Sequence, residues 1–168
     1  MRESVFNALG SLDALVGAEV LDLFAGSGAM GIEALSRGAA RCTFVDVDRA
    51  ARLAIDANLR STGFTEVASV VGGDALAWLR GLGAADRFAL VLCDPPYATT
   101  DEHWAELFDA MAPHVARADG SPGVVVVESD RSVAVPEGWD PQRTKAYGDT
   151  IVSVLQPPDG PRTDGRRA

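Results

Sequence analysis

Residues Glu19–Gly31 read EVLDLFAGSGAMG, and the fold follows from this stretch. Glu19–Phe24 predicts a short strand that runs into a glycine-rich turn and then a helix over about 29–37. Gly26, Gly28 and Gly31 satisfy G-x-G-x-x-G, the strand–turn–helix pattern of nucleotide-binding α/β folds. By itself the pattern also describes a plain tight turn, so its neighbours must point to the ligand.

Outward from that stretch, strands and helices alternate. Upstream, Val5, Phe6, Leu9, Leu12 and Leu15 recur at helical spacing and predict an amphipathic helix over 2–15. Downstream, strands are expected at Cys42–Val45, Val67–Val71, Phe88–Cys93 and Gly123–Glu128. Helices are expected at Asp48–Ser61, with Asp48 as N-cap, at Ala75–Leu82 and at about 101–117. The unbroken apolar run Phe88–Cys93 suits a central strand buried on both faces. Gly148-Asp149, between Gly138–Tyr147 and Thr150–Leu155, signals an antiparallel hairpin. Such alternation makes an α/β fold with a mostly parallel, doubly wound sheet, finished at one edge by the hairpin. Residues 1–156 read as one domain, and the Pro-, Gly- and Arg-rich stretch 157–168 as a disordered tail.

Composition narrows the classes. With 168 residues, 47% hydrophobic and 23% charged, the chain is not a disordered one. No apolar run reaches the roughly 18–20 residues of a membrane span, and no signal peptide opens the chain. Cys42 and Cys93 cannot frame a small domain with disulfides, so a reduced, cytoplasmic location without membrane contact is expected. The net charge of −9 argues against nucleic-acid binding by overall attraction, while leaving room for a local basic face.

In an open α/β sheet, ligands bind beyond the strand C-termini, where strand order reverses. Three acids stand at such ends: Asp22, Asp46 and Asp74. Asp22 beside the glycine turn would repel a pyrophosphate and favour a cation. S-adenosyl-L-methionine, with its sulfonium and α-ammonium, fits that preference. Gly26 and Gly28 would let the backbone approach its methionine part, with Ala25 and Ser27 of the same loop also expected in contact with it. Asp46, twenty residues past Gly26 and followed by Val47, is placed to accept two ribose hydroxyls. Asp74, followed by Ala75, either accepts the adenine amine or only caps the helix it precedes.

The fourth strand ends in Asp94-Pro95-Pro96-Tyr97. The prolines fix the backbone and leave its carbonyls free to accept. An exocyclic amine on a base is a poor nucleophile, because its lone pair is delocalised into the ring. Acceptance of its two N–H groups by the Asp94 carboxylate and the Pro95 carbonyl favours pyramidalisation and stabilises the charge that develops on nitrogen. Tyr97 can stack on a base drawn out of its surroundings. His103 and His114 lack partners at ligand spacing, so no metal is expected, and Cys93 reads as a buried thiol without the Pro-Cys motif of a cytosine methylase.

Four stretches resemble the RsmD-type 16S ribosomal RNA guanine-N2 methyltransferases: Arg2–Asn7 (RESVFN), Val20–Ala39 (VLDLFAGSGAMGIEALSRGA), Asp94–Tyr97 and Lys145–Thr150 (KAYGDT). The resemblance covers about residues 1–156. It implies a class I methyltransferase fold with strand order 3-2-1-4-5-7-6, and transfer to the N2 amine of one guanine in 16S rRNA on the assembling small subunit. It also implies cofactor contacts at Asp22, Gly26, Gly28, Asp46 and Asp74, with Asp94–Tyr97 at the base. Lys145 and Tyr147 either contact substrate or pack the edge hairpin. A monomer is expected. Family members commonly begin upstream with a glycine-rich basic segment, and Met1 stands where they commonly have Val. A valine codon taken as the start is the expectation from that departure. The competing readings are a DNA adenine-N6 methylase, for which the chain has no room for a target-recognition domain, and an inactive cofactor-binding assembly module.

Overall fold

The computed structural model describes residues 1–158. Most of the stretch read as a tail therefore lies outside the described residues. Seven strands form one sheet: β1 (Glu19–Leu23), β2 (Arg41–Asp46), β3 (Ala68–Gly72), β4 (Leu90–Cys93), β5 (Val124–Ser129), β6 (Asp140–Tyr147) and β7 (Thr150–Gln156). Their order is β3-β2-β1-β4-β5-β7-β6. The first five pair in parallel, and β7 joins β5 and β6 antiparallel. This is the mixed, mostly parallel α/β sheet expected from sequence, in the strand order the resemblance implies. The reversal of order falls between β1 and β4.

Five helices cover the sheet: α1 (Arg2–Ser11), α2 (Ala29–Ser36), α3 (Arg49–Thr62), α4 (Ala75–Arg80) and α5 (Asp101–Met111). Alternate strand residues feed two cores. Val20, Leu90, Leu92, Val124 and Val126 pack with Phe6, Leu9, Phe44 and Ile55 on one face. Leu21, Leu23, Val91 and Val125 pack with Trp104, Phe108 and Met111 on the other. Burial on both faces explains the apolar runs of β4 and β5, each large apolar side chain contributing ~1.5–3 kcal/mol.

Two helices, α1 and α5, stop a full turn or more before their periodicity suggests, each for a local reason. α1 stops at Ser11, and Asp13 turns into the left-handed region at φ 52°. α5 yields at Met111 to a 3-10 turn over Ala112–His114, because Pro113 has no N–H to continue the ladder. β4 is also shorter than the run that marks it: Phe88 makes only an isolated bridge to Val115.

Candidate active site

The C-terminal rim of the sheet is built from the tips of β1–β5. At β1 the chain turns sharply, with Phe24 (φ 57°) and Gly26 (φ 58°) both left-handed. Phe24 accepts a conformation that costs a non-glycine residue energy, and the surrounding bonds hold it there. Gly28, also left-handed, caps α2. A Cβ on Gly26 would meet no protein atom within 4 Å, so the space over it is open. A Cβ on Gly28 would press on Ile55 and Phe44 at 3.2 and 3.3 Å, so packing as well as the left-handed φ requires glycine here. Gly31 is tighter still, since a Cβ there would stand 2.4 Å from Phe44 and 2.7 Å from the Cys42 sulfur.

Carboxylates tie this turn together. Asp46 Oδ2 accepts from the Gly26 N–H at 2.8 Å, and its Oδ1 accepts from the Asp48 N–H at 2.8 Å. Asp22 Oδ2 accepts from the Gly31 N–H at 2.9 Å. From sequence Asp22 faces the crevice; in the structure it is only 4% exposed, beneath the loop. Burial, with the charges of Asp94 and Asp46, outweighs the Gly31 bond and pushes its carboxyl up to about 8. At neutral pH it therefore holds a proton and shapes the turn rather than presenting a charge.

Two side chains that sequence reading passes over complete the clamp. Arg52 Nη1 donates to the carbonyls of Asp46 and Val47, each at 2.9 Å. Asn58 Nδ2 donates to the Ser27 carbonyl at 2.9 Å. Val47 is 72% exposed beside Asp46, while Ala75 is buried. Asp74 caps α4 by accepting from the Ala77 N–H at 2.8 Å. Asp48 caps α3 in the same manner, as expected.

Across the switch point, Asp94–Tyr97 leaves β4 as a loop. Pro95 is buried, Asp94 and Pro96 are open, and Tyr97 is 77% exposed. Partial desolvation raises the Asp94 carboxyl, and no hydrogen bond or cation among the described residues draws it down. The loop is fastened beyond the tetrapeptide. Thr99 Oγ1 donates to the Pro96 carbonyl at 2.7 Å, and Arg131 Nη2 donates to the Thr99 carbonyl at 2.9 Å. Arg131 also pairs with Asp101 at 2.7 Å. Ala98 is left-handed at φ 69°, the counterpart of Phe24 in the other loop.

Asp94, Pro95, Pro96 and Tyr97 line a shallow depression together with Thr99, Trp104, Glu128 and Thr150. Sequence reading leaves Glu128 as only the end of a strand. Lys145 and Tyr147 stand elsewhere, in a groove along α1 with Ser4 and Arg143. Tyr147 donates its hydroxyl to Ser4 Oγ at 2.7 Å, and the Lys145 ammonium lies 5.1 Å from the Tyr147 ring centre. The Tyr147 bond ties the edge hairpin to α1, while Lys145 stays exposed. Cys42 and Cys93 are buried, and burial pushes both thiols up, away from nucleophilic use. His114 is buried against the Asp86 carbonyl, and His103 sits on α5 beside Glu106.

The rim thus offers an open glycine turn on one side and a rigid loop with free acceptors on the other. Known proteins are similar to this chain over nearly its whole length. The family described as conserved hypothetical protein 95 matches residues 1–156. YlbH of Bacillus subtilis is 35% identical over 160 residues, 93% of this chain and 84% of that protein. Ribosomal RNA small subunit methyltransferase D of Escherichia coli K12 is 33% identical over 159 residues, 93% of this chain and 76% of its own length. The solved structure of YhhF from Escherichia coli superposes with a TM-score of 0.78 at 31% identity, covering 95% of this chain and 85% of that one. The chain belongs to the conserved hypothetical protein 95 family, the RsmD family of methyltransferases.

Proposed function

We propose that this chain is an S-adenosyl-L-methionine-dependent methyltransferase that modifies the N2 amine of a guanine in 16S ribosomal RNA, on the assembling small subunit. Membership of the family and the name of the Escherichia coli relative support methylation of ribosomal RNA. The observation that carries the chemistry is Asp94: a carboxylate without a protein partner among the described residues, fixed by proline at the switch point of the sheet.

The residues present fit the cofactor. Open space over Gly26 admits the methionine part, since a side chain there would occupy it. Asp46 is half-buried, and each of its oxygens spends one lone pair on a backbone N–H and keeps another for a ribose hydroxyl. Exposed Val47 gives the adenine an apolar wall. Asp74 has one oxygen on its cap and a second available. When bound, the cofactor supplies a methyl group on an activated sulfonium.

The protein's own residues do the rest. The Asp94 carboxylate and the Pro95 carbonyl accept from the target amine, hold it in line and stabilise positive charge on nitrogen. Tyr97 stacks on the base, and the Thr99 and Arg131 bonds keep the loop from giving way. The test is transfer of labelled methyl to small-subunit particles, followed by nucleoside analysis. N2-methylguanosine is expected, and label in adenosine instead refutes the assignment. Asp94→Ala should lower turnover about 10²–10³-fold. Its cofactor affinity should stay within about tenfold, or roughly 1.4 kcal/mol, by calorimetry. Full activity in that variant refutes the role of Asp94.

A further inference from the structure

Asp94 has a neighbour that the mechanism above leaves idle. Glu128 stands one position beyond the Cys93↔Val127 pair of β4 and β5, as Asp94 does where the neighbouring strand ends, and the two line one depression with Pro95, Pro96 and Tyr97. On the other side of Glu128, β7 offers Val152, and none of the ion pairs among the described residues includes Glu128. Burial and the charge of Asp94 push its carboxyl up to about 7, with the chain's N-terminal ammonium acting the other way. A half-buried acid set against a like charge, with no cation bonded to it, is a cost to the fold and marks a place for a ligand.

The chemistry of the pair names what it reads. With both groups ionised, as pairing with a donor favours, two adjacent carboxylates present an acceptor beside an acceptor. Guanine meets that edge with two adjacent donors, N1–H and the N2 amine. Adenine and cytosine put a ring-nitrogen acceptor beside their amine, and uracil has no amine. Resting on the guanine-N2 reading above, the geometry points to Glu128 as the specificity-determining residue: its carboxylate accepts N1–H of the target guanine, while Asp94 and the Pro95 carbonyl hold the N2 amine. An adenine in the same pose would turn its N1 lone pair onto the oxygens of Glu128, an element of rejection as well as of recognition.

The probe is a small-subunit particle reconstituted with 2,6-diaminopurine in place of guanine at the nucleotide the wild type methylates. This base keeps the N2 amine but has an acceptor at N1. The wild type should prefer guanine strongly, because a site built to accept a hydrogen bond discriminates against a base that lacks the donor. Glu128→Gln can turn its amide N–H toward the N1 acceptor. It should lose about 10²-fold in kcat/KM on guanine and raise the diaminopurine-to-guanine ratio at least about tenfold, with cofactor affinity unchanged by calorimetry. Glu128→Ala, with neither acceptor nor donor, should move the ratio toward parity. A wild-type ratio in either variant overturns the role of Glu128 and leaves the guanine reading standing. Methylation of adenosine by the wild type overturns both.

Discussion

The two halves of the rim are built on opposite plans. On the β1–β3 side almost every polar group is already spoken for: Asp22 on Gly31, Asp46 on Gly26 and Asp48, Arg52 on two carbonyls, Asn58 on Ser27. On the β4–β5 side the loop is tied down at Thr99 and Arg131, but Asp94 and Glu128 are left without partners among the described residues, and Tyr97 stands in solvent. A binding cradle gains from being preformed, since ordering it on association would reduce affinity. A catalytic corner must keep its acceptors vacant, because a carboxylate satisfied by its own protein has less to offer a developing charge. Backbone strain is common to both, with one left-handed non-glycine residue in each loop, Phe24 and Ala98.

The largest test of this contrast concerns Asp22, the buried acid of the preformed half. Its folded-state carboxyl is raised from 3.8 to about 8, so between those values the folded chain binds a proton that the unfolded chain has released. Stability must then fall as pH rises through that window, with a slope approaching about 1.4 kcal/mol per pH unit from this group. Asp22→Asn keeps an acceptor for the Gly31 N–H and removes the titration. Its stability, by denaturant unfolding from pH 4 to 8, should vary less than the wild type's and exceed it at the alkaline end. Parallel profiles would show that Asp22 is not the proton-holding strut described here.

Asp46 comes next. Asp46→Ala releases Gly26 and Asp48 together, so the turn loses its brace as well as its ribose acceptor. Cofactor affinity by calorimetry should weaken at least tenfold, about 1.4 kcal/mol, while unaltered affinity would remove Asp46 from the cradle.

How legible was this from the chain? The glycine turn, the strand alternation and the Asp48 cap are local, so periodicity and residue type announce them. Asp94–Tyr97 is legible because it interrupts a buried run. Pro113 could have marked the end of α5, and 3.6-residue spacing alone overran it. Arg52 and Asn58 give no local signal, because only the folded chain brings the carbonyls at the end of β2 within reach of the one and the Ser27 carbonyl within reach of the other. Glu128 closes a run of valines and gives no local signal. Its meaning comes from the pairing of β4 with β5, two elements separated by a whole helix. Asp22 was visible as an acid, but its burial depends on α2 closing over it through Gly31.

The smallest expected effect separates fastening from stability. Arg131 pairs with Asp101 at the surface, the two side chains being 40% and 72% exposed, and such a pair is worth about 0–1 kcal/mol. Arg131→Ala should therefore shift the unfolding midpoint little. Its other bond, to the Thr99 carbonyl, holds the segment whose Thr99 hydroxyl in turn holds Pro96. If the catalytic corner depends on rigidity because its acceptors are unpartnered, losing that bond lets Asp94 and Pro95 drift from the amine. A misplacement of about 1 Å can cost as much as 10²-fold in rate, and partial loosening should cost severalfold in kcat with cofactor affinity intact. A variant with wild-type kcat would mean that the prolines alone fix the corner and that Thr99 and Arg131 serve only the start of α5.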